Sequence, residues 1–215
     1  MSVTLSLYDV FSNIVPGFIY LFAINEILRA FGKSQVNILL ASTSGQILFI
    51  ILSAFVLGHL CTTFTYEGWY KLFFRRYDDQ LALEKTISRF PELKINFKHT
   101  DSDLLLSIIQ SRDKDVAERI EGYRANAIMM RNISFGLFLI GLVELTQFFI
   151  NNHAISYLGI AILSFIFSII AIRGASRFYQ WFYRDIFRMS VIYGSTYLEV
   201  VKKFREELAT KKGKS

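Results

Sequence analysis

The sequence predicts an all-α fold, a four-helix transmembrane bundle with helical cytoplasmic extensions. Three observations predict it. The chain of 215 residues is 53% hydrophobic, its apolar residues form long runs without Asp, Glu, Lys or Arg, and nearly all of its Lys and Arg residues fall on one side of those runs. A water-soluble chain does not concentrate its apolar residues in this way.

Four segments have the length to cross a bilayer. A spanning helix needs about 20 mostly apolar residues, because the hydrocarbon core is about 30 Å thick and a helix rises 1.5 Å per residue. Two uncharged runs, 34–66 and 145–172, exceed that length, and two shorter ones, 10–25 and 132–143, each end at a single acid. The runs are continuous rather than alternating, which favours helices over barrel strands. The predicted spans lie near residues 11–30, 45–65, 132–150 and 156–173.

The distribution of Lys and Arg predicts the orientation of these spans. The loop after the first span holds Arg29 and Lys33, and the turn between the third and fourth spans holds no Lys or Arg. By contrast, residues 66–131 hold twelve, and the tail from Arg173 onward holds ten. We therefore expect a multi-pass protein of the cell inner (plasma) membrane with both termini in the cytoplasm. Residues 1–10 carry no Lys or Arg, so we expect no cleavable signal and a retained first span.

This orientation divides the chain into four predicted segments: a first transmembrane hairpin (1–65), a cytoplasmic helical segment (66–131), a second transmembrane hairpin (132–173) and a cytoplasmic helical basic tail (174–215). Within the middle segment we predict helices over 79–89 and 104–110, and a third helix that runs from Asp113 without interruption into the third span.

Aromatic and basic residues alternate where the second and fourth spans end. The four arginines after the fourth span fall within roughly 60° of one another at 100° per residue. Such a face is typical of a headgroup anchor with positive-inside charges, or of a surface that binds RNA, a phosphate ligand or a protein effector. The face comprises Trp69, Arg75, Arg76, Arg173, Arg177, Trp181, Arg184 and Arg188.

Two acids lie inside the predicted spans, toward their outer ends. A charge near the bilayer centre costs on the order of 2.5–3.5 kcal/mol, which makes such residues functional candidates. Glu26 has Arg29 at i+3 and could reach the interface, whereas Glu144, with Gln147 at i+3, could form an interhelical hydrogen bond or a subunit contact. The alternative is an ion or proton path that uses both acids.

A second polar cluster is predicted toward the inner side from Asp9, Asn13 and His59. Asp9 could equally cap the first helix, and His59 is more readily a hydrogen-bonded residue between helices than a ligand. Small residues at four-residue spacing predict close helix packing, within this bundle or against a second copy of the chain. These are Ala54, Gly58 and Thr62 in the second span and Ser164 and Ser168 in the fourth.

Motifs of enzymes and cofactor sites are absent from the sequence. There is no P-loop, GxGxxG, HExxH or GxSxG, Cys61 is the only cysteine, and the three histidines lie in different regions. We therefore expect no catalytic residues, no metal, no cofactor and no enzymatic activity.

The stretch Tyr8-Asp9-Val10-Phe11, with Pro16-Gly17 at the head of a span, resembles small multi-pass membrane proteins of bacterial defence loci. The plan of about 200 residues, four spans and a basic cytoplasmic side is most similar to the multi-span accessory protein of type VI-B CRISPR–Cas loci. That resemblance implies a non-enzymatic protein that modulates an RNA-guided effector through residues 66–131 and 174–215, with spans that could form a pore. Its partners would be membrane lipid, a protein effector or RNA, and further copies of itself. The alternatives are a channel or transporter subunit that uses Glu26 and Glu144, and a membrane scaffold.

Overall fold

The computed structural model describes residues 7–32, 43–74, 78–89, 98–150 and 154–192. Within these ranges the secondary structure is helical and contains no strand, which confirms the all-α prediction. The helices are α1 (Leu7–Ala30), α2 (Ser44–Phe64), α3 (Lys71–Phe73), α4 (Asp78–Arg89), α5 (Ser102–Arg112), α6 (Lys114–Ile150) and α7 (Ile155–Ile192). A π-helical segment (Thr65–Tyr70) joins α2 to α3, and a 3-10 turn (His99–Asp101) precedes α5.

Four helical stretches are long and apolar enough to cross a membrane: Val10–Ala30, Ser44–Phe73, Lys114–Ile150 and Ile155–Ile192. They contain the four spans that the hydropathy of the sequence predicts. The predicted continuity from residue 113 into the third span is also confirmed, because α6 is one helix of 37 residues. At about 1.5 Å per residue, α6 and α7 are each longer than a hydrocarbon core is thick.

Local sequence signals explain where these helices begin and end. Thr43 and Gln46 form a reciprocal capping box at the start of α2, with backbone-to-side-chain hydrogen bonds of 3.3 and 3.4 Å. Gly32 follows α1 with a φ of 64°, and its N–H donates to the Arg29 carbonyl at 3.0 Å. Glycine adopts this left-handed conformation without a steric penalty, which suits the end of a helix.

The chain divides into two compact units, which we call the spanning unit (residues 1–75 and 125–176) and the second unit (76–124 and 177–215). The spanning unit contains residues of both predicted hairpins. The second unit combines part of the predicted middle segment with most of the predicted tail.

In the spanning unit, α1 and α2 approach each other closely at two glycines. A Cβ atom at Gly17 would overlap the backbone of Ala54, and one at Gly58 would overlap the backbone of Asn13. The Ala54–Gly58 stripe therefore packs against α1 of the same chain. Glycine at both crossing points allows backbone-to-backbone contact that any larger side chain would prevent.

The second unit has an apolar core of its own. Its fully buried side chains come from α5 (Leu105 and Ile109), from α6 (Ile120) and from α7 (Ile186 and Phe187). The predicted helix over 79–89 is confirmed as α4, which buries Ala82 in the same core. The predicted helix over 104–110 is confirmed as α5, which extends two residues further at each end.

Candidate functional site

The two acids predicted in the spans meet at one arginine. The Arg29 Nη2 atom lies 2.7 Å from Glu26 Oε2 and 3.9 Å from Glu144 Oε1. Glu26 is 5% exposed and Glu144 is 3% exposed, whereas the Arg29 side chain is 42% exposed. We call these three residues, with Asn25 and Gln147, the acidic site. It joins α1 to α6, and Gln147, one turn after Glu144, is also buried.

A second set of polar groups, buried or half-buried, lies near the other end of the spans. The Asn132 side-chain amide donates to Thr62 Oγ1 at 3.0 Å, and its carbonyl oxygen accepts from Thr65 Oγ1. Thr62 Oγ1 in turn lies 3.4 Å from Asn13 Oδ1. We call these residues together with Arg131 the polar network. It joins α1 and α2 to α6, twelve residues or about 18 Å along α6 from Glu144.

Arg131 is the charged member of the polar network and is only 2% exposed. Its Nη2 atom donates to the Thr62 carbonyl at 3.0 Å, and its Nε donates to Thr65 Oγ1 at 3.3 Å. The guanidinium also lies 5.1 Å from the centre of the Tyr66 ring. Neutral oxygens and an aromatic face can hold a buried guanidinium because its charge is delocalised and weakly hydrated.

The polar network forms where α2 passes into the π-helical segment. At this change of repeat the regular hydrogen-bond ladder is disturbed, so carbonyls of the last turn of α2 can accept side-chain donors. The Thr62 carbonyl accepts from the Thr65 hydroxyl at 3.0 Å as well as from Arg131. Trp69, in the same segment, donates from Nε1 to Ser134 Oγ at 3.0 Å.

Ser134 links this region to α7. Its hydroxyl donates to the Ser168 carbonyl at 2.8 Å, and the Ser168 hydroxyl donates to the Ser134 carbonyl at 2.8 Å. Ser164, one turn earlier on α7, is buried as well. The predicted Ser164–Ser168 stripe thus faces the inside of the spanning unit, where small hydroxyl side chains let α6 and α7 pack closely.

Two residues of the predicted sites have surroundings that the sequence did not predict. His59 is exposed in the described chain, and its ring stacks on Phe55 with 6.4 Å between the ring centroids. The reason is helical rotation: His59 follows Gly58 by 100°, and Gly58 occupies the face toward α1. Thr62 was predicted as a packing residue only, but it is a hydrogen-bonding centre. The Asp9 side chain lies outside the described atoms.

The predicted aromatic–basic face is divided between the two units. Trp69 belongs to the spanning unit, where its ring packs at 4.4 Å from Phe138 and 5.7 Å from Phe135. Arg75 and Arg76 lie outside the described residues. Trp69 therefore packs against α6 rather than forming an open surface.

The rest of that face lies on α7, where Arg173 and Arg177 are exposed. Trp181 is 39% exposed and makes edge contacts with Phe178 at 5.3 Å and Tyr123 at 6.0 Å. Arg184 and Arg188 are half-buried.

Arg188 has other arginines close to it. Burial, and then the neighbouring charges of Arg184 and Arg89, lower the pKa of Arg188. Asp185 compensates part of this positive charge, because its Oδ1 atom lies 3.5 Å from Arg184 Nε. We call Arg89, Arg177, Arg184 and Arg188 the arginine face of the second unit.

Sequence reasoning missed the centre of the polar network. Arg131 and Asn132 stand at the start of the third predicted span, where a basic and an amide residue are typical of headgroup contact. Thr65 stands at the end of the second. One signal in the sequence could have found them: these polar residues lie at the same side of the membrane in two spans, and they can meet if the two helices are adjacent.

Among the described residues, no three His, Cys, Asp or Glu side chains are grouped so that they could hold a metal ion. No protein-family model, curated protein or solved structure matches the chain.

Proposed function

We propose that the chain is a non-enzymatic, multi-pass membrane accessory protein whose second unit, in the cytoplasm, binds an anionic effector. The observation that carries the proposal is the arginine face, which stands on a unit with its own closed apolar core. A separately packed core can hold such a face in a fixed geometry for a partner, since core side chains sit in defined positions.

The length of the arginine face favours a role in binding a partner rather than a role as a headgroup anchor alone. Arg177 and Arg188 are eleven residues apart on α7, which corresponds to about 16 Å along the helix. The polar layer on each side of a bilayer is only about 5–8 Å thick. Even at a tilt of 40°, the two arginines would differ in depth by about 13 Å. Lipid phosphates therefore account for part of the face, and its far end is available to another anion.

The setting in antiviral defence rests on the resemblance of Tyr8-Asp9-Val10-Phe11 and Pro16-Gly17 to accessory proteins of CRISPR-type loci. In that setting the partner would be an RNA-guided effector or its RNA. Both offer phosphates or acidic side chains to the arginine face, and electrostatic complementarity would govern association.

Co-purification of the full-length protein from a mild detergent extract of the native host tests this proposal. We expect an effector protein or its RNA to co-elute, and Arg89→Gln or Arg188→Gln to reduce the bound amount at least threefold. Arg119→Gln is the matched control, because Arg119 is an exposed arginine of the same unit outside the face. Nuclease treatment before elution separates binding to RNA from binding to protein.

Three results would oppose the proposal. These are the absence of any co-eluting nucleic acid or effector, equal losses for Arg119→Gln and Arg188→Gln, and binding that is insensitive to salt. The last result counts because contacts between charged surfaces weaken as ionic strength rises.

The acidic site favours a second candidate function, a channel or transporter subunit. Buried acids in spanning helices are typical of ion and proton pathways. Ion flux into liposomes, measured for the wild type and Glu144→Gln, tests it: a pathway through Glu144 predicts that the variant loses most of the flux. Equal flux in both proteins would exclude Glu144 from the path. If the protein shows no ion flux and binds no anionic partner, the remaining candidate function is a membrane scaffold.

A further inference from the structure

The acidic site contains more negative than positive charge. Two carboxylates, Glu26 and Glu144, contact a single guanidinium, that of Arg29. With all three groups ionised, the site would carry a net charge of −1 in a region that excludes water from both acids. An uncompensated buried charge is strongly unfavourable, so one further positive charge is needed.

The hydrogen bonds of the site point to the same need. Three of its buried oxygens accept no hydrogen bond from the described residues: Asn25 Oδ1, Glu26 Oε2 and Glu144 Oε2. The contact between Glu26 Oε2 and Arg29 is an ion pair that lacks hydrogen-bond alignment. Buried acceptors in native proteins are almost always satisfied, and a group made only of acceptors is satisfied by a donor or by a cation.

Other charges of the described residues do not fill this role. Between Ser44 and Phe64 the ionisable groups of α2 are His59 and Cys61, which lie in the half of the helix nearer the polar network. Before Arg173, α7 carries Tyr157 alone. From Asn132 to Ile150, α6 carries only Glu144. Lys33 and His153 follow α1 and α6 in the sequence and lie outside the described residues, so the experiment below includes both.

We infer that the acidic site binds one small monovalent cation between α1 and α6, with carboxylate and amide oxygens as its ligands. Oxygen donors of this kind suit hard cations. The charge balance selects a single positive charge, because a divalent ion would leave a net charge of +1. A proton and an alkali ion such as Na⁺ both meet this description, and the experiment distinguishes them. The inference does not depend on an effector binding to the second unit.

The test measures the melting temperature of the full-length protein in detergent. Na⁺ is varied at constant ionic strength with choline as the replacement, and the series is repeated from pH 5 to pH 8. If Na⁺ is the ligand, each tenfold rise above its Kd should raise the melting temperature by roughly 3–5 °C. If the ligand is a proton, the melting temperature should instead rise as the pH falls and should ignore Na⁺.

Glu144→Gln removes one negative charge and keeps the shape of the side chain. We therefore expect this variant to be folded, to lose the response to Na⁺, and to lose the part of the pH response that comes from the acidic site. Glu118→Gln, which changes an exposed acid on the same helix, should keep the wild-type response. Dicyclohexylcarbodiimide gives an independent measurement, because this apolar reagent adds to protonated carboxyl groups: mass spectrometry should find Glu144 modified, and Na⁺ should prevent the reaction if Na⁺ binds there.

Two outcomes would overturn the inference. In the first, the wild type responds to neither Na⁺ nor pH; if Lys33→Gln or His153→Gln then becomes sensitive, one of these side chains already supplies the missing charge. In the second, Glu144→Gln retains the wild-type response.

Discussion

The spanning unit and the second unit differ in the large side chains that they bury. In the second unit the largest fully buried side chains are apolar, such as Leu105, Ile109 and Phe187. In the spanning unit the buried residues include Arg131, Asn132 and Glu144, while many large apolar side chains point outward. In water, the hydrophobic effect favours the burial of apolar side chains. In lipid, apolar side chains can stay on the outer surface, and polar side chains form hydrogen bonds between helices. The comparison shows that the two units differ in the side chains they bury and in those they expose.

Exposure makes the contrast quantitative. Phe49 on α2 is 70% exposed, and the most apolar part of Ser44–Phe73 is only 11% buried. Phe187 on α7 is completely buried.

The largest effect is expected from the core of the second unit. Phe187→Ala should cost about 3–5 kcal/mol, because it removes a fully buried ring and leaves a cavity. Phe49→Ala should change stability by less than about 0.5 kcal/mol, since the ring contacts little of the protein. Hydrogen exchange of α5 amides in detergent measures the first change, and thermal unfolding measures the second. Equal losses would show that both rings pack inside the protein.

A charge on the outer surface of the spanning unit should be nearly as costly. Leu52 is 54% exposed near the middle of α2, and Leu52→Arg should disfavour membrane insertion by about 2.5–3.5 kcal/mol. Ser107→Arg, at an exposed position of α5, should insert normally. The membrane-inserted fraction after alkaline extraction is the measurement. Normal insertion of Leu52→Arg would mean that this face of α2 meets water or protein.

The crossing of α1 and α2 should be sensitive to a single methyl group. Gly58→Ala should cost about 1–3 kcal/mol, since the new Cβ overlaps the backbone of Asn13 and the helices must separate. Gly45→Ala should be neutral or slightly stabilising, because nothing lies within 4 Å of a Cβ at that position. Denaturation in mixed detergent micelles compares the two variants. A tolerated Gly58→Ala would contradict the close approach.

The smallest effect is expected within the polar network. Asn132→Ala should cost about 0.6–1.7 kcal/mol, which runs from the average to the largest value found for hydrogen bonds between membrane helices. Thr146→Val is the control, because Thr146 is exposed and donates only to the carbonyl of Leu142 in its own helix. Both variants can be compared by thermal unfolding. A loss above 3 kcal/mol for Asn132→Ala would indicate that Arg131 depends on Asn132 for its position.

Much of the fold could be predicted because spanning helices obey a length rule. The uncharged runs predicted four helices, and the i, i+4 charges after Asp113 predicted that α6 continues toward the third span. Glu26 and Glu144 could be selected as candidate site residues because an acid in a span is costly wherever it points. That they share Arg29 could not be predicted, since this depends on how α1 and α6 are rotated against each other.

The surroundings of His59 and Trp69 could not be predicted for the same reason. Both residues were selected from depth and composition, which do not give the direction of a side chain. His59 lies 100° from the face that meets α1 and points outward. Trp69 lies within the π-helical segment, whose wider repeat changes the direction of its side chain, and its Nε1 donates to Ser134. A rule based on 3.6 residues per turn does not anticipate that rotation.

The sequence by itself determined the helical class, the number of spans and the identity of the polar residues placed within them, because these follow from hydropathy and from the thickness of a bilayer. The tertiary structure decided which of those residues meet: Glu144 with Glu26 at Arg29, and Asn132 with Thr62 and Thr65. Periodicity along one helix states which side chains share a face. The neighbour that a face contacts is set by packing between helices, where small residues such as Gly17 and Gly58 allow the closest approach.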